Sequence, residues 1–174
     1  MKVSLFYLPT IASRSEIESG LAGLRSDLYT QMLGELLEQA QLADGLGYDS
    51  ISFTEHHFHI EGFELSTNPL MLDAFVASRT QNLKVGQLAL VLPSHHPLRV
   101  AEDVAMLDQI TKGRVYVGFA RGYQSRWVNT LGQPLGLGAT SSDHSEQDEL
   151  NRAAFEESWR SEEHTSELQS HLNL

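Results

Sequence analysis

Leu83-Lys84-Val85-Gly86-Gln87-Leu88-Ala89-Leu90-Val91-Leu92, followed by Pro93-Ser94-His95-His96-Pro97, is the stretch on which the fold turns. The first ten residues form a nearly continuous apolar run, the pattern of a strand buried on both faces of a parallel sheet. The Pro-flanked pentapeptide after it is a loop. From Leu98 to Ile110, Ala101, Val104, Ala105 and Leu107 recur at helical spacing, and Gly113 closes the helix. Val115 to Phe119 is apolar again and reads as the next strand. Strand, loop, helix and strand in this order make a βαβ unit, which requires a parallel sheet with a helical crossover.

The same unit repeats toward the N-terminus. Residues 2 to 8 are β-prone, and a Ser/Gly-rich stretch from Pro9 to Ser26 follows as a loop or short helix. Leu28, Met32, Leu36, Ala40 and Ala43 mark one apolar helix face, with Ser26 or Asp27 as cap and Gly45 or Gly47 as stop. Asp49 to Thr54 is a strand, and Asn68-Pro69 opens a helix predicted to reach about Thr80. Toward the C-terminus, a Gly-rich loop from Ala120 to His144 leads to a last helix beginning near Ser145. The order β-α-β-α-β-α-β-loop-α defines an α/β protein. It fits either a doubly wound sheet or a (β/α)8 barrel. No G-x-G-x-x-G follows the first strand, so a dinucleotide fold has no support. A barrel needs eight βα units and about 250 residues; the 174 residues supply four strands, roughly half of the units, which predicts the N-terminal half of a (β/α)8 TIM barrel.

With 23 Asp and Glu against 12 Lys and Arg, the formal net charge is −11. Nucleic acid and anionic membrane both call for a basic face, so neither is expected as a partner. The absence of Cys excludes disulfides, thiolate metal sites and a thiol nucleophile. No apolar run is long enough to span a bilayer. The first residues read as a strand rather than a signal peptide, because the apolar stretch ends at Pro9 without a small-residue cleavage site. A cytoplasmic location is the expectation.

Polar residues cluster after the strands. Thr54-Glu55-His56-His57-Phe58-His59 follows the second strand, Ser94-His95-His96 the third, and Arg121-Gly122-Tyr123-Gln124 the fourth. All three lie at carboxyl ends of strands, where parallel α/β folds keep their sites. Five of the eight histidines sit in two of these loops. Two chemistries fit. His57-x-His59, with Glu55, is a short metal-ligand pattern of a kind that chance also produces. Arg121 beside Gly122 suits the phosphate of a flat anionic cofactor, since a guanidinium binds phosphate through two parallel hydrogen bonds.

At this point the chain is identified by longer matches. Leu46-Gly47-Tyr48-Asp49-Ser50-Ile51-Ser52-Phe53-Thr54-Glu55-His56-His57-Phe58, the run from Val85 to Asp103, Leu107 to Val115, and Gly118-Phe119-Ala120-Arg121-Gly122 resemble the luciferase-like flavin-dependent monooxygenases. This is the superfamily of the bacterial luciferase α subunit and the alkanesulfonate monooxygenases. The resemblance implies a barrel that binds reduced FMN at its C-terminal mouth and uses O2 to oxygenate a small organic substrate. It also implies a flavin reductase as the source of FMN, and a homodimer when full length. His56 matches the catalytic histidine. A non-proline cis peptide under the flavin ring maps to Leu88-Ala89, and Arg121 matches the arginine on the flavin phosphate. No metal ligand is implied. Ala120 stands where the luciferases carry a reactive Cys, which speaks against a true luciferase, and Leu88 replaces a smaller residue. Three alternatives are a deazaflavin F420-dependent oxidoreductase, a metal-dependent TIM-barrel hydrolase and a non-catalytic flavoprotein subunit.

The last residues, 160 to 174, lack an apolar helical stripe and resemble the translation of a sequencing adapter. They are expected to be an artefactual tail, leaving 1 to 159 as a partial luciferase-like barrel domain. So truncated, the chain is expected to be inactive on its own.

Overall fold

The computed structural model describes residues 1–139 and 142–172, with 162–172 described by their helical backbone alone. Four strands, β1 (Ser4–Tyr7), β2 (Ser50–Phe53), β3 (Lys84–Val91) and β4 (Val115–Ala120), form one sheet in the order β1-β2-β3-β4. Every neighbouring pair is parallel. A doubly wound sheet reverses its strand order at a switch point. Here each strand lies beside its sequence neighbours, which is the order of a (β/α)8 barrel, and the four units correspond to its N-terminal half.

The helices follow from the periodicities. Helix α1 (Arg14–Ser19) sits in the stretch read as a loop or short helix. Helix α2 (Ser26–Gly45) buries Met32, Leu36, Ala40 and Ala43, the face that the spacing predicts. Its cap is Arg25 rather than Ser26 or Asp27, and Arg25 pairs with Asp27 of the first turn at 2.6 Å. Helix α3 (Pro69–Ala77) starts where Asn68 accepts from the Met71 N–H at 3.1 Å, and it ends short of Thr80. Helix α4 is Pro97–Thr111, with Lys112 and Gly113 in left-handed conformations after it.

On β2, Ile51 and Phe53 face the helices and join Leu83, Val85, Met32, Leu36 and Val76 in the main core. The alternate residues turn the other way. Ser50 donates to Ser4 at 2.7 Å, and Ser52 bonds the hydroxyl of Tyr116, so hydroxyls line this second face. Phe6 is 57% and Leu88 50% exposed. Thus β3 is not buried on both faces along its whole length as its composition predicts, because nothing among the described residues covers the sheet at Leu88.

At the amino end of β3, the Asp44 carboxylate accepts the backbone N–H groups of Gln81, Asn82 and Leu83 at 2.7, 2.9 and 2.7 Å. Arg114, just before β4, donates to the carbonyls of Leu83 (2.7 Å) and Ala77 (2.9 Å). These two side chains close the base of the sheet.

Two readings are corrected. The Gly-rich segment after β4 is not all loop: α5 (Ser125–Leu131) forms there because Trp127 and Val128 are buried against Val91. The last helix, α6 (Glu146–Leu172), starts where the sequence places it and runs on through most of 160–174, where the sequence shows no apolar helical stripe. That segment contains no Gly or Pro, so a helix already propagating meets no breaker. Residues 173 and 174 lie outside the described residues. No helix of the described residues is long and apolar enough to cross a membrane.

Candidate active site

Glu55, directly after β2, organises the carboxyl end of the sheet. Its side chain is fully buried. One carboxylate oxygen accepts from Nε2 of His57 and from Nε2 of His95, each at 2.8 Å, and the other accepts from the Val91 N–H at 2.6 Å. An ionised carboxylate only accepts, so both imidazoles carry their proton on Nε2. Burial works against the charge, yet the hydrogen bonds of His57 and His95 outweigh it and hold the Glu55 carboxyl below its ordinary range. One side chain thus ties the loop after β2 to the end of β3 and to the loop that follows.

His56 points away from this hub. Its Nδ1 lies 2.9 Å from the Thr54 hydroxyl, and its Nε2 lies 3.7 Å from a Glu64 oxygen. Its side chain is 11% exposed. Burial pushes the His56 imidazolium below its ordinary value of 6.5, with the nearby Glu64 charge opposing, so the ring is neutral at pH 7. Phe58 and Glu64 both have positive φ, 63° and 52°, and these turns fold the loop back so that Glu64 faces His56 and His59. His59 reaches across to Gln124 (3.0 Å), and Arg126 of α5 makes a two-pronged ion pair with Glu61 (2.7 Å for each prong). His57 rests on Trp127 with ring centroids 5.1 Å apart.

Leu88 and Ala89, in the second half of β3, form a floor on the face away from the helices, and the peptide between them is cis, at the position that the resemblance gives. The pairing of β3 with β4 passes from Gln87↔Val117 to Leu90↔Phe119, so both residues bulge opposite Gly118. A Cβ on Gly118 would lie 2.7 Å from the Gln87 carbonyl oxygen and 3.3 Å from Leu88 Cδ2, so only glycine fits there. The exposed Leu88 side chain leaves an apolar surface suited to one face of a planar ring.

Arg121, at the end of β4, donates to Asp148 of α6 and to Ser142, both at 2.6 Å. Its side chain is 23% exposed and that of Asp148 fully buried. A phosphate bound here would share the guanidinium with a carboxylate already in place. Gly122 has φ +78°, and a Cβ there would lie 2.7 Å from Val91 Cγ1 and 2.9 Å from Val128 Cγ2, so glycine turns the chain immediately after the arginine.

The four residues singled out from the sequence therefore lie at carboxyl ends of β2, β3 and β4. Of the three residues of the metal pattern, His57 meets Glu55 at 2.8 Å, whereas Nε2 of His59 turns to Gln124 at 3.0 Å. Among the described residues, the group of three His, Asp or Glu side chains whose ligand atoms all lie within 4.8 Å of one another is His144, Asp148 and Glu149. Sequence reading weighed Glu55 as a metal ligand and missed its role as a hub; it also missed the pairing with His95 and the pairing of Arg121 with Asp148. The only signal was the run of polar residues after each strand. The contacts join positions as far as 40 residues apart, which local pattern does not encode.

The family model for luciferase-like monooxygenases matches residues 1–166. The chain is 36% identical over 106 residues to the alkanal monooxygenase alpha chain of Photorhabdus laumondii, a match covering 61% of this chain and 29% of that protein. It is 36% identical over 95 residues to the oxygenase component of the flavin-dependent trigonelline monooxygenase of Acinetobacter baylyi, covering 55% of this chain and 26% of that one. Among solved structures, the monooxygenase RslO1 of Streptomyces bottropensis superposes with a TM-score of 0.68 at 27% identity, over 93% of this chain and 42% of its own. The matches thus span less than a third of these two curated relatives. With its whole strand-and-loop framework inside the matched region, the chain belongs to the luciferase-like monooxygenase family.

Proposed function

We propose that the protein is a flavin-dependent monooxygenase, an oxidoreductase that takes reduced FMN from a flavin reductase and uses O2 to oxygenate a small organic substrate. The observation that carries this reading is the buried Glu55 hub, which gathers histidines from two loops beside the open Leu88–Ala89 floor. Family membership supports it, as does the flavin dependence of the trigonelline relative.

The residues present fit the cofactor. Leu88 and Ala89 would carry the flavin ring, and Gly118 lets the bulge beneath it close up. Arg121 would hold the phosphate, sharing its charge with Asp148. When bound, reduced flavin supplies the electrons for activating O2. His56 is the catalytic residue: Thr54 occupies Nδ1, so the neutral ring offers Nε2 to take or return a proton. Glu55 holds the adjacent His57 and the floor in place.

Among the described residues no strand pairs with the outer edges of β1 and β4, and Phe6 and Leu88 are exposed on the sheet face away from the helices. Turnover therefore requires further strands to close over them, and residues 1–159 act as part of a barrel domain that works in the cytoplasm as a homodimer. Anaerobic titration with reduced FMN, followed by O2 uptake in the complete barrel, tests the proposal. Binding of FMN in preference to riboflavin, with substrate-dependent O2 uptake, is the expected result. No flavin binding, or equal affinity for the two flavins, refutes it.

A further inference from the structure

Behind the Leu88–Ala89 floor lies a buried carboxyl group that the chemistry above does not use. Asp73, on α3, is 0% exposed, and Gln87, on β3, is 0% exposed. The Gln87 amide nitrogen donates to Oδ2 of Asp73. The remaining atoms of the two groups, Oδ1 of Asp73 and Oε1 of Gln87, are both buried and both without a partner. Two orphaned acceptors on side chains already joined on their other limb are an unfavourable arrangement for an ionised Asp, since each forgoes a hydrogen bond in a dry interior.

A single proton removes both deficits. Placed on Oδ1, it donates to Oε1, and the two groups then form a closed ring of two hydrogen bonds, acid to amide and amide to acid. The surroundings favour that proton. Burial drives the Asp73 carboxyl well above its ordinary range, and only the Gln87 amide and the backbone of Gly86 act against it. Among the described residues, no cation offsets the burial. Lys84 of β3 is engaged by Asp49. Neither Glu55 after β2 nor Arg99, Glu102, Asp103 and Asp108 of α4 acts on the group.

We infer that Asp73 is protonated in the folded chain and forms a closed acid–amide pair with Gln87, which fixes β3 immediately before Leu88–Ala89. Gln87 is the last β3 residue in register with β4 before the bulge. Locking its side chain onto α3 therefore sets where the floor begins. Asp73 and Gln87 are positioning residues. Their effect on flavin rests on the function proposed above; the protonated pair itself does not.

The pair is tested by infrared spectroscopy of the chain at pH 7, with and without 13C-labelled Asp, on wild type, Asp73→Asn and Asp73→Ala. The expected result is a carbonyl band of a protonated carboxyl group that shifts on labelling and is absent from D73N. Asn presents the same acceptor and donor to Gln87 without needing a proton, so D73N melts within about 2 °C of wild type. Asp73→Ala leaves Gln87 unpaired and lowers the melting temperature by roughly 4–10 °C. Absence of the protonated band, or D73N falling as far as D73A, overturns the pair. In a reduced-FMN titration, Gln87→Ala weakens binding about tenfold while D73N does not, tenfold being about 1.4 kcal/mol. Equal affinity in Q87A and wild type overturns the positioning role. If wild type binds no FMN at all, the proposed function fails, while the band still decides the pair.

Discussion

Glu55→Gln isolates the charge at the centre of the mouth while keeping its shape. The carboxylate accepts three hydrogen bonds, from His57 and His95 at 2.8 Å and from the Val91 N–H at 2.6 Å. If the Gln oxygen takes the place of the oxygen that serves both histidines, those bonds survive without charge assistance, at about half their strength. The Gln NH2 then meets the Val91 N–H, donor against donor, and an unpaired buried donor costs about 1–3 kcal/mol. The reverse orientation keeps Val91 but sets the Gln NH2 against the Nε2–H of both histidines, which must shift their protons to Nδ1 before they accept from it. The neutral amide regains part of the burial penalty that works against Glu55. The net loss is about 2–4 kcal/mol, or roughly 5–15 °C in melting temperature for a chain of this size. Urea and thermal melts at pH 7 measure it. The pH dependence carries a second signature. The folded Glu55 carboxyl titrates below its ordinary value of 4.5, so its contribution is complete above that value and is lost as pH falls through the folded one. The gap between wild type and E55Q should close over that acid range. A gap below about 0.5 kcal/mol at pH 7, or one that stays constant into acid, refutes Glu55 as the hub.

Other expectations follow from neighbouring residues. His56→Ala should lower turnover of the complete barrel by about 10²–10⁴ while leaving FMN affinity intact; unchanged turnover removes the role given to His56. Arg121→Ala should weaken FMN by about 1.5–3 kcal/mol and leave riboflavin unaffected, read by paired titrations. Gly118→Ala puts a methyl group 2.7 Å from the Gln87 carbonyl oxygen, and the forced shift should destabilise the chain by about 1–3 kcal/mol; a neutral result in a melt denies the close approach. Because folding lowers the His56 value from 6.5, the unfolded chain binds more protons below that pH. Stability should be complete above pH 6.5 and decline below it, and His56→Gln should flatten that slope in melts taken from pH 7.5 to 5.

Much of the framework was legible because it is written in local period. The α2 face of Met32, Leu36, Ala40 and Ala43 and the apolar run of β3 need no distant partner to be recognised. The helix α5 was hidden because its anchors, Trp127 and Val128, bury against Val91, a contact that composition does not announce. The extent of α6 was missed for the opposite reason: its end has little apolar pattern, yet nothing in it stops a helix. At the site, His56 and Arg121 could be singled out, but their partners could not. Glu64 reaches His56 through two left-handed turns, and Asp148 arrives from a helix beyond a long loop. The pairing of Asp73 with Gln87 was likewise invisible, since an Asp on an otherwise apolar helix reads as an exposed position until the fold buries it.

The clasp formed by Asp44 and Arg114 has a consequence for how this scaffold tolerates change. Both side chains act at the amino end of β3, binding the backbone of residues 77 to 83, whereas the histidines and Arg121 lie at the opposite end of the strands. The base of β3 is thus held by groups at the end of the strands opposite the candidate site. Among the described residues, none of these Asp44 and Arg114 contacts involves the segments between Thr54 and Asn68 or after Ala120, which carry the Glu55 hub and Arg121. The clasp holds the strands in step at the base, so under the proposed function a change of substrate specificity falls on the mouth alone.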